Sequence, residues 1–105
     1  MADVLIAFCT FPDSATADSA VTALVENGFV ACGNILPPVR SIYRWQGKVE
    51  NSEEVLVMFK LSSVRYAEFE TKLQSLHPYE VPEIIAFPVT HALPAYLEWV
   101  TNSSN

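Results

Sequence analysis

The sequence is poor in glycine and cysteine, and this excludes several common kinds of site. It contains 3 glycines and 2 cysteines among 105 residues. So few glycines leave no glycine-rich loop to hold a phosphate group, and neither the P-loop pattern nor GxGxxG is present. The GxSxG and HExxH patterns of hydrolases are absent as well. We therefore expect a binding protein rather than an enzyme.

Basic residues are outnumbered by acidic ones. Lys and Arg total 6 and Asp and Glu total 12, which gives a formal charge of −6 at pH 7. An acidic surface repels phosphate backbones, and the few basic residues are scattered along the chain. We therefore expect no nucleic-acid partner, whereas metal cations and basic proteins match the charge.

Long apolar runs are also missing. No segment approaches the roughly 20 apolar residues of a membrane-spanning helix. The first residues lead directly into an apolar strand segment, without the basic region of a signal peptide. Two cysteines, Cys9 and Cys32, are too few for a disulfide scaffold. We expect a soluble cytoplasmic protein with reduced thiols and no membrane partner.

Local patterns predict four strands and three helices. Apolar runs rich in β-formers predict strands over residues 4–10, 29–35, 55–61 and 83–89, the second of them resuming over 39–45 after Pro37-Pro38. Asp13 or Ser14 is expected to cap the first helix, which ends at Gly28. Ser62 or Ser63 is expected to cap the second, which ends at His77-Pro78. The last helix is short and begins near Pro94.

The element order predicts the fold class. The order βαββαβ with an additional short C-terminal helix is the split βαβ, or ferredoxin-like, arrangement of an α+β fold, in one domain over residues 1–105. Its usual strand order is 4-1-3-2, with both main helices on one face of the sheet. Gln46-Gly47 predicts a hairpin turn, and the polar residues 50–54 predict a bulge or a kink.

Both faces of the predicted sheet are apolar, although one should face water. In an antiparallel sheet with one wet face, apolar and polar residues alternate. Residues 4–9 of the first strand are instead all apolar, and the third and fourth strands follow the same pattern. The short last helix can cover only part of the second face, and large exposed apolar patches are rare on monomers. We therefore expect an oligomer that forms through the sheet.

The candidate metal ligands are a cysteine and a histidine. Cys9 is either a small buried hydrophobe or a soft metal ligand. Cys32 lies two strands away in the predicted sheet, roughly 10 Å, which is too far for a disulfide. His77 begins a segment stiffened by two prolines, which holds the polar side chains in place for binding. The alternative is that His77 caps a helix and the loop is solvated, and His91 is interpreted as a loop residue.

Two further polar clusters lie in or near the predicted hairpin. Aromatic and basic residues at its tip predict an interface or packing on a neighbouring subunit: Tyr43, Arg44, Trp45 and Lys48. Glu50, Glu53 and Glu54 are interpreted as a solvated turn, because the spacing of an EF-hand is absent.

Four motifs are similar to those of the CutA divalent-cation tolerance family. They are Cys9-Thr-Phe-Pro12, Ser41-Ile-Tyr-Arg-Trp-Gln-Gly-Lys48, His77-Pro-Tyr-Glu-Val-Pro-Glu83 and Tyr96-Leu-Glu-Trp99. The resemblance extends over about residues 4–100. It implies a ferredoxin-like fold assembled as a homotrimer, similar in architecture to the PII signalling proteins. It also implies a role in tolerance to divalent metals, above all copper.

The resemblance further implies which residues hold the metal. Carried over to this sequence, the copper ligands are Cys9 and His77, with binding that is weak or transient. Some members of the family place a second histidine just before the His-Pro-Tyr motif, where this sequence has Leu76. Cys32 is interpreted as structural.

Two functions follow, of different classes. The first is a non-enzymatic homotrimer that binds a divalent metal, copper, through Cys9 or His77. The alternative is a PII-like signalling or scaffold protein that binds a small metabolite in clefts between subunits, lined by Tyr43, Trp45, Lys60, Tyr79, Glu80 and Glu83. An enzyme would require His77 to be paired with Glu80 or Glu83 in a cleft.

Overall fold

The computed structural model describes residues 3–105 of the chain. This part contains five β-strands and three α-helices. The strands are β1 (Val4–Phe11), β2 (Cys32–Ile35), β3 (Val39–Trp45), β4 (Lys48–Ser62) and β5 (Ile85–Pro88). The helices are α1 (Ser14–Glu26), α2 (Tyr66–Leu76) and α3 (Pro94–Ser103), and one 3₁₀ turn (Ser63–Arg65) precedes α2. None of the helices in residues 3–105 is long and apolar enough to cross a membrane.

The strands form one antiparallel sheet in the order β2-β4-β1-β5, and β3 pairs with the first half of β4. Strands β2 and β3 together correspond to the second predicted strand. The observed order is therefore the predicted 4-1-3-2, and the ferredoxin-like α+β fold is confirmed.

The interruption between β2 and β3 lies where two prolines were expected to break the ladder. Between the last pair of β2 and the first pair of β3 the chain has three residues, 36–38, whereas β4 has only two. The additional residue is accommodated next to Pro37 and Pro38, because proline has no N–H to donate. The bulge predicted at residues 50–54 is wrong, since these residues pair with 39–43 without interruption.

One of the two predicted helix caps is present. The Oδ1 atom of Asp13 accepts a hydrogen bond from the Thr16 N–H at 2.7 Å, which lowers the pKa of this carboxyl. Neither Ser62 nor Ser63 caps α2, because the 3₁₀ turn separates them from it. The N–H of Ser62 donates instead to the hydroxyl of Ser104, at 2.7 Å.

The second predicted strand begins later than expected. Phe29 and Val30 donate their N–H groups to the carbonyl of Leu24, so they complete the end of α1 rather than join the sheet. Gly28 makes this possible with a φ of +71°, in the left-handed region that favours glycine. The last strand is also shorter than expected, at four residues.

The main core lies between the sheet and helices α1 and α2. Alternate residues of β1 and β4 point into it, and among its fully buried side chains are Ala7, Cys9, Phe11, Val57, Phe59, Leu24, Phe69 and Leu73. The Phe59 and Phe69 rings pack edge to face, with centroids 5.2 Å apart. Along residues 7–11 of β1 and residues 55–61 of β4, this face of the sheet is covered by the chain itself.

The second face of the sheet is apolar and only partly covered. Helix α3 covers one corner, where Val100 packs with Val4 and Ala31. Beyond α3 the face is open, and Ile85 and Phe87 of β5 are 55% and 45% exposed. We refer to this uncovered part of β1, β4 and β5 as the open face. The prediction that both faces are apolar is thus confirmed, while the oligomer inferred from it stays a prediction.

Candidate functional site

A groove of about 720 Å³ opens beside the β3–β4 hairpin. The hairpin forms one wall, and the segment after α2 forms the other. Five of the predicted cleft residues contribute to its lining: Tyr43, Trp45, Tyr79, Glu80 and Glu83. Thr10 and Glu54 line it as well. The structure thus brings together residues from two motifs, 41–48 and 77–83, that are well separated in the sequence.

The hairpin supplies the aromatic wall because of its regular register. Its two-residue turn has positive φ at Gln46 and Gly47, 49° and 80°, as a tight hairpin requires. Side chains two positions apart share one side of a strand. Ser41, Tyr43 and Trp45 therefore face the groove together.

Lys60 is the one predicted cleft residue that lies elsewhere. It occupies the middle of β4, paired with Cys32 on one side and Ile6 on the other, and its ammonium group binds the side-chain oxygen of Asn34. It shares the open face with Met58, because alternate residues of a strand share a face. Lys60 therefore does not line the groove.

A buried carboxylate holds the two walls of the groove together. The hydroxyl of Tyr79 donates to Oε2 of Glu54 at 2.8 Å, and only 8% of the surface of Glu54 is exposed. Burial raises the pKa of Tyr79, and its hydrogen bond to Glu54 raises it further, so the hydroxyl remains protonated and can donate. The interpretation of Glu54 as part of a solvated turn was wrong. Its position directly before the apolar run of β4 was the available signal.

His77 connects the segment after α2 to the end of β1. Its Nδ1 accepts the N–H of Tyr79 at 3.1 Å, so the neutral ring carries its proton on Nε2 and donates it to the carbonyl of Thr10, at 2.7 Å. The ring stacks on Phe11, with centroids 4.7 Å apart. The His77 backbone ends α2, as one alternative predicted, but its side chain forms these longer-range contacts.

Cys9 is buried immediately beneath the groove. Its side chain has no exposed surface, and its Sγ lies 3.7 Å from the carbonyl of Thr10. Burial raises the pKa of the Cys9 thiol to about 12, and the nearby charges of Glu83 and Glu54 contribute to the rise. The thiol is therefore protonated at neutral pH. Cys9 and His77 thus both donate toward one carbonyl oxygen.

The arrangement around Thr10 is not a preformed metal centre. Within residues 3–105, no group of three or more His, Cys, Asp and Glu side chains is arranged to hold a metal ion. The sulfur of Cys9 carries a proton, and both ring nitrogens of His77 have hydrogen-bond partners. An ion bound here would have to displace that proton and one of these hydrogen bonds. The proposed ligand pair stays a prediction.

The remaining cysteine and histidine lie outside the groove. Cys32 lies on the open-face side of β2, whereas Cys9 points into the core, and β4 runs between their strands. Both thiols are free, as expected. The pKa of Tyr96 is raised by burial and by its contact with Cys32. His91 is exposed in a loop, where its Nδ1 lies 3.2 Å from the hydroxyl of Thr90.

The fold and the groove together define a ferredoxin-like domain with an aromatic and acidic groove beside its β3–β4 hairpin. The model of the CutA1 divalent ion tolerance protein family matches residues 5–103. The chain belongs to this family.

Similar proteins agree with this assignment. The chain is 43% identical over 97 residues to "Protein CutA" of Mus musculus, which covers 92% of this chain and 55% of that protein. It is 36% identical over 99 residues to "Divalent-cation tolerance protein CutA" of Thermus thermophilus, with 94% and 96% of the two chains covered. The chain thus spans only about half the length of the Mus musculus relative.

Solved structures share the fold closely. CutA from Xylella fastidiosa superposes with a TM-score of 0.95 at 39% identity, over 98% of this chain and 99% of that one. A protein from Archaeoglobus fulgidus, described as a periplasmic divalent cation tolerance protein, gives a TM-score of 0.93 at 28% identity, over 97% and 99% of the two chains.

The contact between Tyr79 and Glu54 predicts a measurable contribution to stability. Among the described residues, Tyr79 is the only donor to the buried carboxylate of Glu54. We therefore expect Tyr79→Phe to lower the free energy of unfolding by about 1–2 kcal/mol. Tyr43→Phe is the matched control, because its hydroxyl makes an exposed contact of 3.3 Å with Ser52. For the control we expect a loss below about 0.5 kcal/mol in urea denaturation. Equal losses in the two variants would contradict this account of the groove.

Proposed function

We propose that this chain acts in tolerance to divalent cations as a non-enzymatic homotrimer that binds the cation directly, copper in preference to others. Membership of the divalent ion tolerance family supports the general role. The observation that carries the proposal is the convergence of Cys9 and His77 on the carbonyl of Thr10. We also propose a cytoplasmic location, in which both free thiols would stay reduced.

The chemistry of the two donors supports copper. Thiolate and imidazole are ligands that copper favours, and copper heads the divalent affinity series. The carboxylates of Glu54 and Glu83 lie close enough to raise the pKa of the Cys9 thiol, and the same negative field would attract a cation. Because a proton and a hydrogen bond must first be displaced, the proposed binding is weak or transient.

Copper affinity tests this proposal. We expect Cys9→Ala and His77→Ala each to weaken binding about tenfold or more in a titration against a competing chelator. Binding should also weaken as the pH falls, because the Cys9 thiol, whose pKa is raised to about 12, must lose its proton to bind. Cys32→Ala and His91→Ala are the matched controls and should bind as the parent protein does. Affinity that survives the loss of both Cys9 and His77 would disprove the site.

The open face supports the homotrimer. Its exposed large side chains, Ile85 and Phe87, adjoin Phe8, whose ring centroid lies 5.9 Å from that of Phe87. An apolar surface of this kind gains free energy when a second copy removes it from water. A PII-like trimer would bury it while leaving the helical face of each subunit unchanged.

A charge on the open face should disrupt the assembly. We expect Ile85→Asp to reduce the mass measured by light scattering from that of a trimer to that of one 11.7 kDa chain, with the helix content retained. Val64→Asp is the control, because Val64 is 73% exposed on the 3₁₀ turn, away from the sheet. It should remain trimeric. A trimeric Ile85→Asp variant would show that the open face is not the interface.

The groove supports a second candidate function, the binding of a small metabolite where subunits meet. Its volume of about 720 Å³ lies within the range of roughly 300–1,000 Å³ typical of ligand pockets. Aromatic rings and a few carboxylates line it, which is the mixture that orients small molecules. This would make the protein a PII-like sensor or scaffold.

A thermal-shift screen against metals and metabolites separates the two functions. A ligand at a hundredfold excess over its Kd stabilises a protein by about 2.7 kcal/mol. We expect a groove ligand to raise the melting temperature of the parent protein and of Trp99→Ala, but not of Trp45→Ala. Trp99 is the matched control because it is similarly exposed but lies on α3, outside the groove. Stabilisation by metals alone would contradict the second function.

A further inference from the structure

The charged residues that line the groove are all acidic. The described residues that line it include three carboxylates, from Glu54, Glu80 and Glu83, but no lysine, arginine or histidine. The electrostatic potential in the groove is therefore negative.

One of the carboxylates has an oxygen without a hydrogen-bond donor. Glu54 is only 8% exposed, and among the described residues its single hydrogen bond is the one from Tyr79 to Oε2. Its Oε1 receives no hydrogen bond from these residues, but this atom is not fully buried and keeps contact with solvent. A partly desolvated charge is stabilised by an opposite charge close to it, and the described lining of the groove contains no cation. A positively charged ligand would pair with this carboxylate.

The aromatic wall distinguishes between kinds of cation. Trp45 and Tyr43 line the groove and are 48% and 42% exposed. Aromatic faces attract cations, tryptophan most strongly, and alkylated ammonium groups are recognised in this way. Pro78 and Val81, on the opposite wall, add an apolar surface suited to a hydrocarbon body. A hydrated metal ion would gain nothing from these groups.

We propose that the groove binds an organic ammonium cation, with its charged head beside Glu54 and Glu83 and its apolar body against Trp45 and Tyr43. This inference rests on the second candidate function and names its ligand class. None of these four residues is a proposed copper ligand, although the charges of Glu54 and Glu83 also contribute to the negative field at the proposed copper site.

A matched pair of probes tests the charge requirement. Choline carries a quaternary ammonium group, and 3,3-dimethylbutan-1-ol is its neutral isostere. The chain has 2 tryptophans, so the Trp99→Phe variant reports binding through the fluorescence of Trp45 alone. We expect saturable binding of choline, and binding of the isostere weaker by about tenfold or more.

Matched variants test the location, with calorimetry as the measurement. We expect Trp45→Ala to weaken choline binding about tenfold and Glu83→Gln to weaken it several-fold. Glu98→Gln makes the same change of charge on α3, outside the groove, and should leave the affinity unchanged. Thermal melting of each variant confirms that it is folded.

The outcomes separate this inference from the function on which it rests. Equal binding of choline and its isostere, equal effects of Glu83→Gln and Glu98→Gln, or no saturable binding of choline would each overturn the ligand class. If only neutral or anionic metabolites then stabilise the protein through Trp45, the groove function stands without the ammonium inference. If no metabolite does, both fail.

Discussion

The hydrogen bonds of His77 are the constraint on which the groove depends. The segment after α2 contains two prolines and forms no strand until β5, so the sheet does not hold it in place. His77 fixes its first residues by accepting the Tyr79 N–H and donating to the carbonyl of Thr10. Tyr79 is thereby placed where its hydroxyl reaches Glu54. The imidazole ring of His77 thus positions Tyr79, whose contact with Glu54 joins the two walls of the groove.

This structural use of His77 limits its chemistry as a ligand. A neutral imidazole has one donor and one acceptor nitrogen, and both are already engaged. A metal ion bound to either nitrogen replaces one of the bonds that position Tyr79 or that reach β1. Metal binding and a closed groove wall therefore compete for the same ring. A transient ion is compatible with this competition, whereas a permanent metal centre would require a different loop.

The sequence was sufficient to predict the fold but not the interior of the site. Strand order, the turn at Gln46-Gly47 and the break at Pro37-Pro38 all follow from local patterns, because side-chain alternation and missing N–H groups act within a few residues. The predicted cap of α2 was wrong because the 3₁₀ turn Ser63–Arg65 lies between Ser62 and the helix. Glu54 was misinterpreted because its partner Tyr79 is 25 positions away. The local signal was its position directly before the apolar run of β4.

Strand β4 contributes to two surfaces that differ in polarity, the groove and the open face. Its residues 48–54 are mostly polar and pair with β3, whereas residues 55–62 cross the sheet between β1 and β2 and are mostly apolar. The change falls between Glu54, which lines the groove, and Val55, which lies in the core. Apolar surface is stabilised by any contact that excludes water, so the open face favours association with another copy. The groove contains charges that keep their hydration unless a partner compensates them, so it favours a ligand of complementary charge.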